Sequence, residues 1–133
     1  MQLINIKVRC GITGFESPAA DYASSSLSLD SLLIKNPSAT WVGEASGDSM
    51  TGFGIFSGDL LIIDRHVDVK NMDIVVANYN GEFVCKQICL KRRLLLSANP
   101  QFPAVKINED DEFTIEGVVV HSVRAHSPIY LAG

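Results

Sequence analysis

A chain of 133 residues, 47% hydrophobic and 20% charged, has ordinary globular composition and suffices for one self-sufficient core, which excludes a disordered or fibrous protein. The formal net charge of −4, with no dense basic run beyond Lys91–Arg93, argues against a domain that grips DNA through its phosphates. No direct sequence-specific DNA binding is therefore expected, and any link to nucleic acid runs through another protein. Met1–Val8 is too short and too polar for a signal peptide, and no apolar run approaches the roughly 20 residues of a membrane span. The three cysteines, Cys10, Cys85 and Cys89, form no zinc-like pairing with His. The expectation is a cytoplasmic protein in a reducing compartment, without metal or cofactor and without a membrane partner.

In chain order, residues 1–38 mix small polar residues with Gly and Pro. Gly11, Gly14 and Pro18 work against a continuous helix or strand, which predicts an extended, mobile arm. Leu29–Lys35 fits a short helix with Ser28 as N-cap, stopped by Pro37. From Thr40 onward, short apolar runs recur between turn signals: Thr40–Ala45, Asp59–Ile63, Asp73–Tyr79, Glu82–Leu90, Leu94–Ser97 and Phe113–Ala125. Asn80-Gly81 between two of these runs is a strong signal for a type I′ hairpin. The fold expected is mainly β, a single small antiparallel barrel- or sandwich-like domain over residues 39–133 behind the mobile arm.

Two segments can carry chemistry. Ser46-Gly-Asp-Ser-Met50, followed by Thr51-Gly-Phe-Gly-Ile55, lies between a predicted strand and a Gly-rich bend. Ser49 there can expose its hydroxyl at a sharp turn with backbone N–H groups near it, which suits a nucleophile. The ordinary alternative is a serine capping a short helical turn. Lys86 sits within the run Glu82–Leu90, where strand alternation gives it a face with Val84, Ile88 and Leu90. Apolar neighbours disfavour the ammonium, so the amine can act as a base; a lysine at a sheet edge reaching water is the alternative. His66, His121 and His126 are rival bases with no spacing that ties them to Ser49, and each is expected to be structural or exposed. Cys85 and Cys89 fall opposite Lys86 and are expected to be small core residues.

Taken together, these segments resemble the LexA/UmuD family of self-cleaving serine–lysine peptidases. Ala45-Ser-Gly-Asp-Ser-Met50 is similar to the family's nucleophile motif, and Gly81-Glu-Phe-Val-Cys-Lys86 to its lysine segment, at a separation of 37 residues. Ser57-Gly-Asp-Leu-Leu-Ile-Ile-Asp64, Asp73-Ile-Val-Val76 and Glu116-Gly-Val-Val-Val-His121 extend the match. Upstream, Gly14-Phe-Glu-Ser-Pro-Ala-Ala-Asp-Tyr22 resembles the segment after the family's cleavage bond, and Leu32-Leu-Ile-Lys-Asn-Pro-Ser-Ala-Thr40 continues it.

The resemblance implies that Ser49 is the nucleophile, Lys86 the general base and the Ser49 backbone N–H an oxyanion donor. Cleavage is then expected at Thr13–Gly14, with Cys10–Gly11 as the alternative bond. Thr13 departs from the pattern, because the family places a small residue, Ala or Cys, before Gly-Phe. The implied function is a protease of the DNA-damage (SOS) response that removes its own arm and becomes the accessory subunit of a Y-family translesion DNA polymerase. The implied partners are a second copy in a homodimer, a RecA filament on single-stranded DNA that stimulates cleavage, and a UmuC-like polymerase. The non-enzyme alternative is a slowly cleaving or non-cleaving regulatory module for such a polymerase. Signal peptidase shares the chemistry but needs a membrane anchor. A LexA-type repressor needs a helix-turn-helix domain before the cleavage site, where 13 residues stand.

Overall fold

The computed structural model describes residues 3–4, 7–8, 10–11, 24–25 and 28–127. The chain divides into two compact units, Met1–Lys35 and Asn36–Gly133. In the first, β1 (Leu3–Ile4) pairs antiparallel with β2 (Ser24–Ser25). This two-residue ladder was not expected, since so short a pairing leaves no periodic pattern to read. Helix α1 spans Leu29–Leu33, and Ser28 caps it as anticipated, accepting a hydrogen bond from the Ser31 N–H at 3.0 Å. It ends two residues short of the expected Lys35 because Ile34 is already extended. Pro37 instead opens a 3-10 turn over Pro37–Ala39.

The second unit is mainly β, as the recurring apolar runs require. Its strands are β3 (Thr40–Glu44), β4 (Leu60–Asp64), β5 (Ile74–Tyr79), β6 (Glu82–Cys89), β7 (Leu94–Leu96), β8 (Val105–Lys106) and β9 (Phe113–Val123). All but the short β8 coincide with an expected run to within about two residues. They form one antiparallel sheet of seven strands in the order β3-β4-β9-β5-β6-β7-β8. Among the described residues, no ladder joins β3 to β8, so the sheet is open rather than a closed barrel. The β5–β6 turn has Asn80 at φ 50° and Gly81 at φ 89°, the positive pair that a type I′ hairpin demands.

Strand β9 is an interior strand, between β4 and β5. Its first half pairs with β5 and its second half with β4. Two register shifts, opposite Val76/Ala77 and opposite Ile62/Ile63, leave Glu116 and Val120 as extra residues. Bulges of this kind bend a strand and increase its twist, which lets β9 follow both halves of the sheet.

Each face of the sheet buries its own core. One cluster holds Met50, Ile55, Leu61, Ile63 and Val76, with Trp41, Ala45 and Cys85 packed against it. The other holds Val75, Ile88, Leu95, Ile107 and Val118. Adjacent residues of β5 therefore serve opposite cores, as period-two alternation dictates. Each large aliphatic side chain so buried contributes about 1.5–3 kcal/mol.

Gly117, at the first bulge, has φ 153°, and a Cβ there would stand 2.6 Å from Ile63 Cγ2 and 3.0 Å from the Asp64 carbonyl oxygen. Gly117→Ala is expected to cost about 2–3 kcal/mol, read as a lower urea midpoint at unchanged slope.

Three carboxylates are held below their usual range. Asp59 is held by the Arg124 guanidinium, Asp64 by the Asn36 amide, and Asp111 by the Asn108 backbone N–H. Because the folded values are the lower ones, their stabilisation is present above the unfolded pKa of about 3.9 and is lost as pH falls through the folded values. Thermal unfolding is therefore expected to be flat from neutral pH to about pH 5 and to fall steeply below pH 4.

Candidate active site

The Ser49 turn is built by its anchors. After β3, the chain turns at Ser46–Met50, passes through a 3-10 turn at Thr51–Phe53 and reverses at Gly54, whose φ is 78°. Met50 and Ile55, on either side of that turn, are sunk into the first core cluster. The loop's far end is held by Asp59, which is 2% exposed. Its carboxylate accepts from Arg124 Nε at 2.9 Å, from an Arg124 terminal nitrogen at 2.8 Å and from the Phe56 N–H at 2.9 Å. Arg124 also donates to the Gly54 carbonyl at 2.7 Å and lies over the Phe56 ring, 4.1 Å from its centre. The buried Asp59 carboxylate thus has its hydrogen bonds satisfied by a guanidinium that stays 41% exposed, the condition under which a buried charge is tolerated.

A third tie comes from the segment after β7. The Ala98 N–H donates to the Ser49 carbonyl at 2.7 Å, and the Gly52 N–H donates to the Ala98 carbonyl at 2.7 Å. Asn99 Nδ2 donates to the Asp48 carbonyl at 3.0 Å. A Cβ on Gly52 would collide with the Ala98 carbonyl oxygen, so glycine is required by close approach.

Within this frame Ser49 is half-buried, and its hydroxyl has no hydrogen-bond partner among the described residues. It is not a cap: the 3-10 turn begins after Met50, with no side-chain cap. The Ser49 N–H likewise donates to no acceptor among the described residues.

Lys86 lies on β6, opposite Val75 of β5, and is half-buried. Burial lowers the pKa of its ammonium. A Cys85 thiolate would raise it, but burial keeps that thiol neutral, pushing its own pKa up to about 11. Lys86 Nζ donates to Ser97 Oγ at 2.9 Å and lies 5.6 Å from the centre of the Phe102 ring.

Ser49 and Lys86 line one cleft of about 380 Å³. Its walls are Trp41, Ile55, Leu61, Ile63, Val76 and Phe83, with Gly43–Gly47 along β3 and its exit. That volume and mostly apolar lining fall in the range of ligand-binding clefts. The histidines do not compete: His66, His121 and His126 are all exposed, and none lines the cleft. Cys85 packs against the first core and Cys89 is buried, whereas Cys10 is exposed. Thr13 and Gly14 lie outside the described residues; Cys10 and Gly11 are exposed in the first unit.

Ser97 and the Ala98–Asn99 pair were not singled out from the sequence. The signal was there in principle: a four-residue loop at 90–93 pairs Cys89 with Leu94 and Gln87 with Leu96, which brings Ser97 beside Lys86.

A serine and a lysine of lowered basicity lining one apolar cleft are chemically suited to a peptidase. The family model described as Peptidase S24-like matches residues 2–120, and the chain belongs to that family. Among its relatives, protein SamA of Salmonella typhimurium is 40% identical over 84% of this chain and 81% of its own length. Protein MucA of Escherichia coli is 39% identical over 85% of this chain and 79% of its own. The LexA repressor of Bordetella avium is 31% identical over 82% of this chain and 52% of its own. The resemblance read from the motifs is thereby borne out. Among the described residues, no helix is long and apolar enough to cross a membrane.

Thiol accessibility checks the packing at the cleft. At pH 8 a soluble disulfide reagent is expected to label the exposed Cys10 at once, the half-buried Cys85 more slowly, and the buried Cys89 only on unfolding; rapid labelling of Cys89 would contradict its burial.

Proposed function

We propose that the chain is a self-cleaving serine endopeptidase in which Ser49 is the nucleophile, Lys86 is the general base and the substrate is its own N-terminal segment. The observation that supports this reading is the shared cleft: it is lined both by Ser49, whose hydroxyl has no partner among the described residues, and by Lys86, whose pKa burial lowers. The neutral Lys86 amine takes the Ser49 proton as Oγ attacks the scissile carbonyl. The oxyanion is met by the Ser49 N–H, and the resulting ammonium returns the proton to the leaving amine. Water then hydrolyses the ester by the same steps in reverse. Tethering raises the effective concentration of the bond, so a weak protease suffices.

The bond proposed is Thr13–Gly14, with Cys10–Gly11 as the alternative. Kinship with SamA, MucA and the LexA repressor supports a place in the DNA-damage response. There, in the cytoplasm, the truncated homodimer would serve as accessory subunit of a UmuC-like Y-family translesion polymerase, with cleavage stimulated by a RecA filament on single-stranded DNA. The division into an arm over 1–38 and a peptidase domain over 39–133 belongs to the same proposal.

Intact-mass spectrometry of the incubated chain is the test. A fragment beginning at Gly14 or Gly11 is expected, and both Ser49→Ala and Lys86→Ala should abolish it, a loss of at least about a thousandfold, while the variants stay folded. Persistent cleavage in either variant would remove the dyad. Because burial lowers the Lys86 pKa, unassisted cleavage should rise with pH as the amine loses its proton and level off below the usual lysine value of about 10.4. A folded chain of unchanged mass under every condition would leave the non-cleaving polymerase module.

A further inference from the structure

A base on a long, flexible stem must be aimed before it can be useful. Lys86 carries four side-chain torsions, and apolar surroundings alone lower its basicity without fixing where Nζ points. The structure supplies one hydrogen-bond acceptor for that amine among the described residues, Ser97 Oγ at 2.9 Å. Ser97 is half-buried at the end of β7, directly after the Gln87–Leu96 pair. The two residues that follow it hold the nucleophile's turn from the other side. The Ala98 N–H bonds to the Ser49 carbonyl, the Ala98 carbonyl accepts from Gly52, and Asn99 bonds to the Asp48 carbonyl.

We propose that Ser97 is a positioning residue for self-cleavage: its hydroxyl aims Lys86 Nζ while its backbone neighbours fix Ser49, so that the segment Ser97–Asn99 sets nucleophile and base together. This rests on the assignment of Ser49 and Lys86 made above. Ser97 does not touch the scissile bond; it acts through the lysine. By accepting one N–H, its hydroxyl limits the rotation of the amine, so the lone pair exposed on deprotonation has a defined direction.

Few other groups act on Lys86. From its own strand comes Cys85, whose thiol stays neutral up to about 11. From β3 comes Glu44, which lines the same cleft, and beside the nucleophile stands the exposed Asp48. Neither forms an ion pair with Lys86 among the described residues. Strand β5 places Val75 opposite, and the segment after β7 adds the Phe102 ring. The Ser97 hydroxyl is therefore the polar contact whose removal the amine should register.

The direction of that effect is specific. An ammonium that loses its acceptor is harder to keep charged, so Ser97→Ala should lower the Lys86 pKa further, although the catalyst becomes worse. Cleavage rates of wild type, Ser97→Ala and Ser97→Thr should be measured by intact mass from about pH 7 to pH 11. Expected for Ser97→Ala is a plateau reduced roughly ten- to a hundredfold, with the inflection moved down by about one pH unit. Ser97→Thr retains the hydroxyl and should restore both.

In parallel, the Lys86 side-chain carbon next to Nζ should be titrated by NMR in full-length Ser49→Ala protein, with and without Ser97→Ala. The same downward shift is expected there. An unmoved inflection and titration in Ser97→Ala would overturn the proposal, as would a Thr variant no better than Ala. If wild type itself never cleaves, the dyad assignment fails; the NMR titration then decides by itself whether Ser97 holds the amine, and an unshifted curve refutes it.

Discussion

Strand β9 carries hydrogen bonds to both halves of the sheet, and the relative placement of the two candidate catalytic residues depends on it. The Ser49 loop joins β3 to β4, whereas Lys86 belongs to the β5–β6 hairpin. In the strand order, β9 stands between these pairs. A straight strand would serve one partner well and drift away from the other. The two bulges bend β9 so that both ladders form, and Gly117 permits the first bulge because the Ile63 side chain and the Asp64 backbone leave no room for a Cβ. Beyond the last residue of β9, Arg124 reaches the β3–β4 loop and neutralises the buried Asp59. One strand thus aligns the halves and secures the loop that presents Ser49.

The cleft combines two requirements that oppose each other. An amine able to act as a base near neutral pH needs an environment that disfavours its charge, and apolar walls supply it. Those same walls give a flexible side chain nothing to hold. The contact with Ser97 meets the second requirement while tolerating the first, because a hydroxyl accepts from the amine without adding the negative charge that a carboxylate would bring. The neutral Cys85 thiol acts in the same direction: a carboxylate at that position would stabilise the Lys86 ammonium. In this respect the site differs from the Asp59–Arg124 clamp, where full ionisation is the source of the hold.

The fold was legible wherever a local rule had no competitor. Ser28 as N-cap, Asn80-Gly81 as a type I′ turn and six strands of the large sheet follow from capping, positive φ and period-two runs. What escaped was short or non-local. The β1–β2 ladder and β8 each offer only two residues of pattern. Sheet closure was not legible either, since alternation gives a strand its faces but not its neighbours. The open order inserts the last strand between β4 and β5, a pairing between elements far apart in the chain.

The candidate site divides along the same line. By itself, the sequence determined the residue types: a serine in a Gly-rich turn, a lysine among apolar strand positions, and a motif and spacing that identify the family. These are local in the chain and need no knowledge of what lies across space. Only the tertiary structure decided that Ser49 and Lys86 share a cleft, that no histidine does, and that Ser97–Asn99 touches both. The physical reason is that such contacts depend on hairpin register and on the bend of one interior strand, and a shift of one residue in either would turn every side chain to the opposite face.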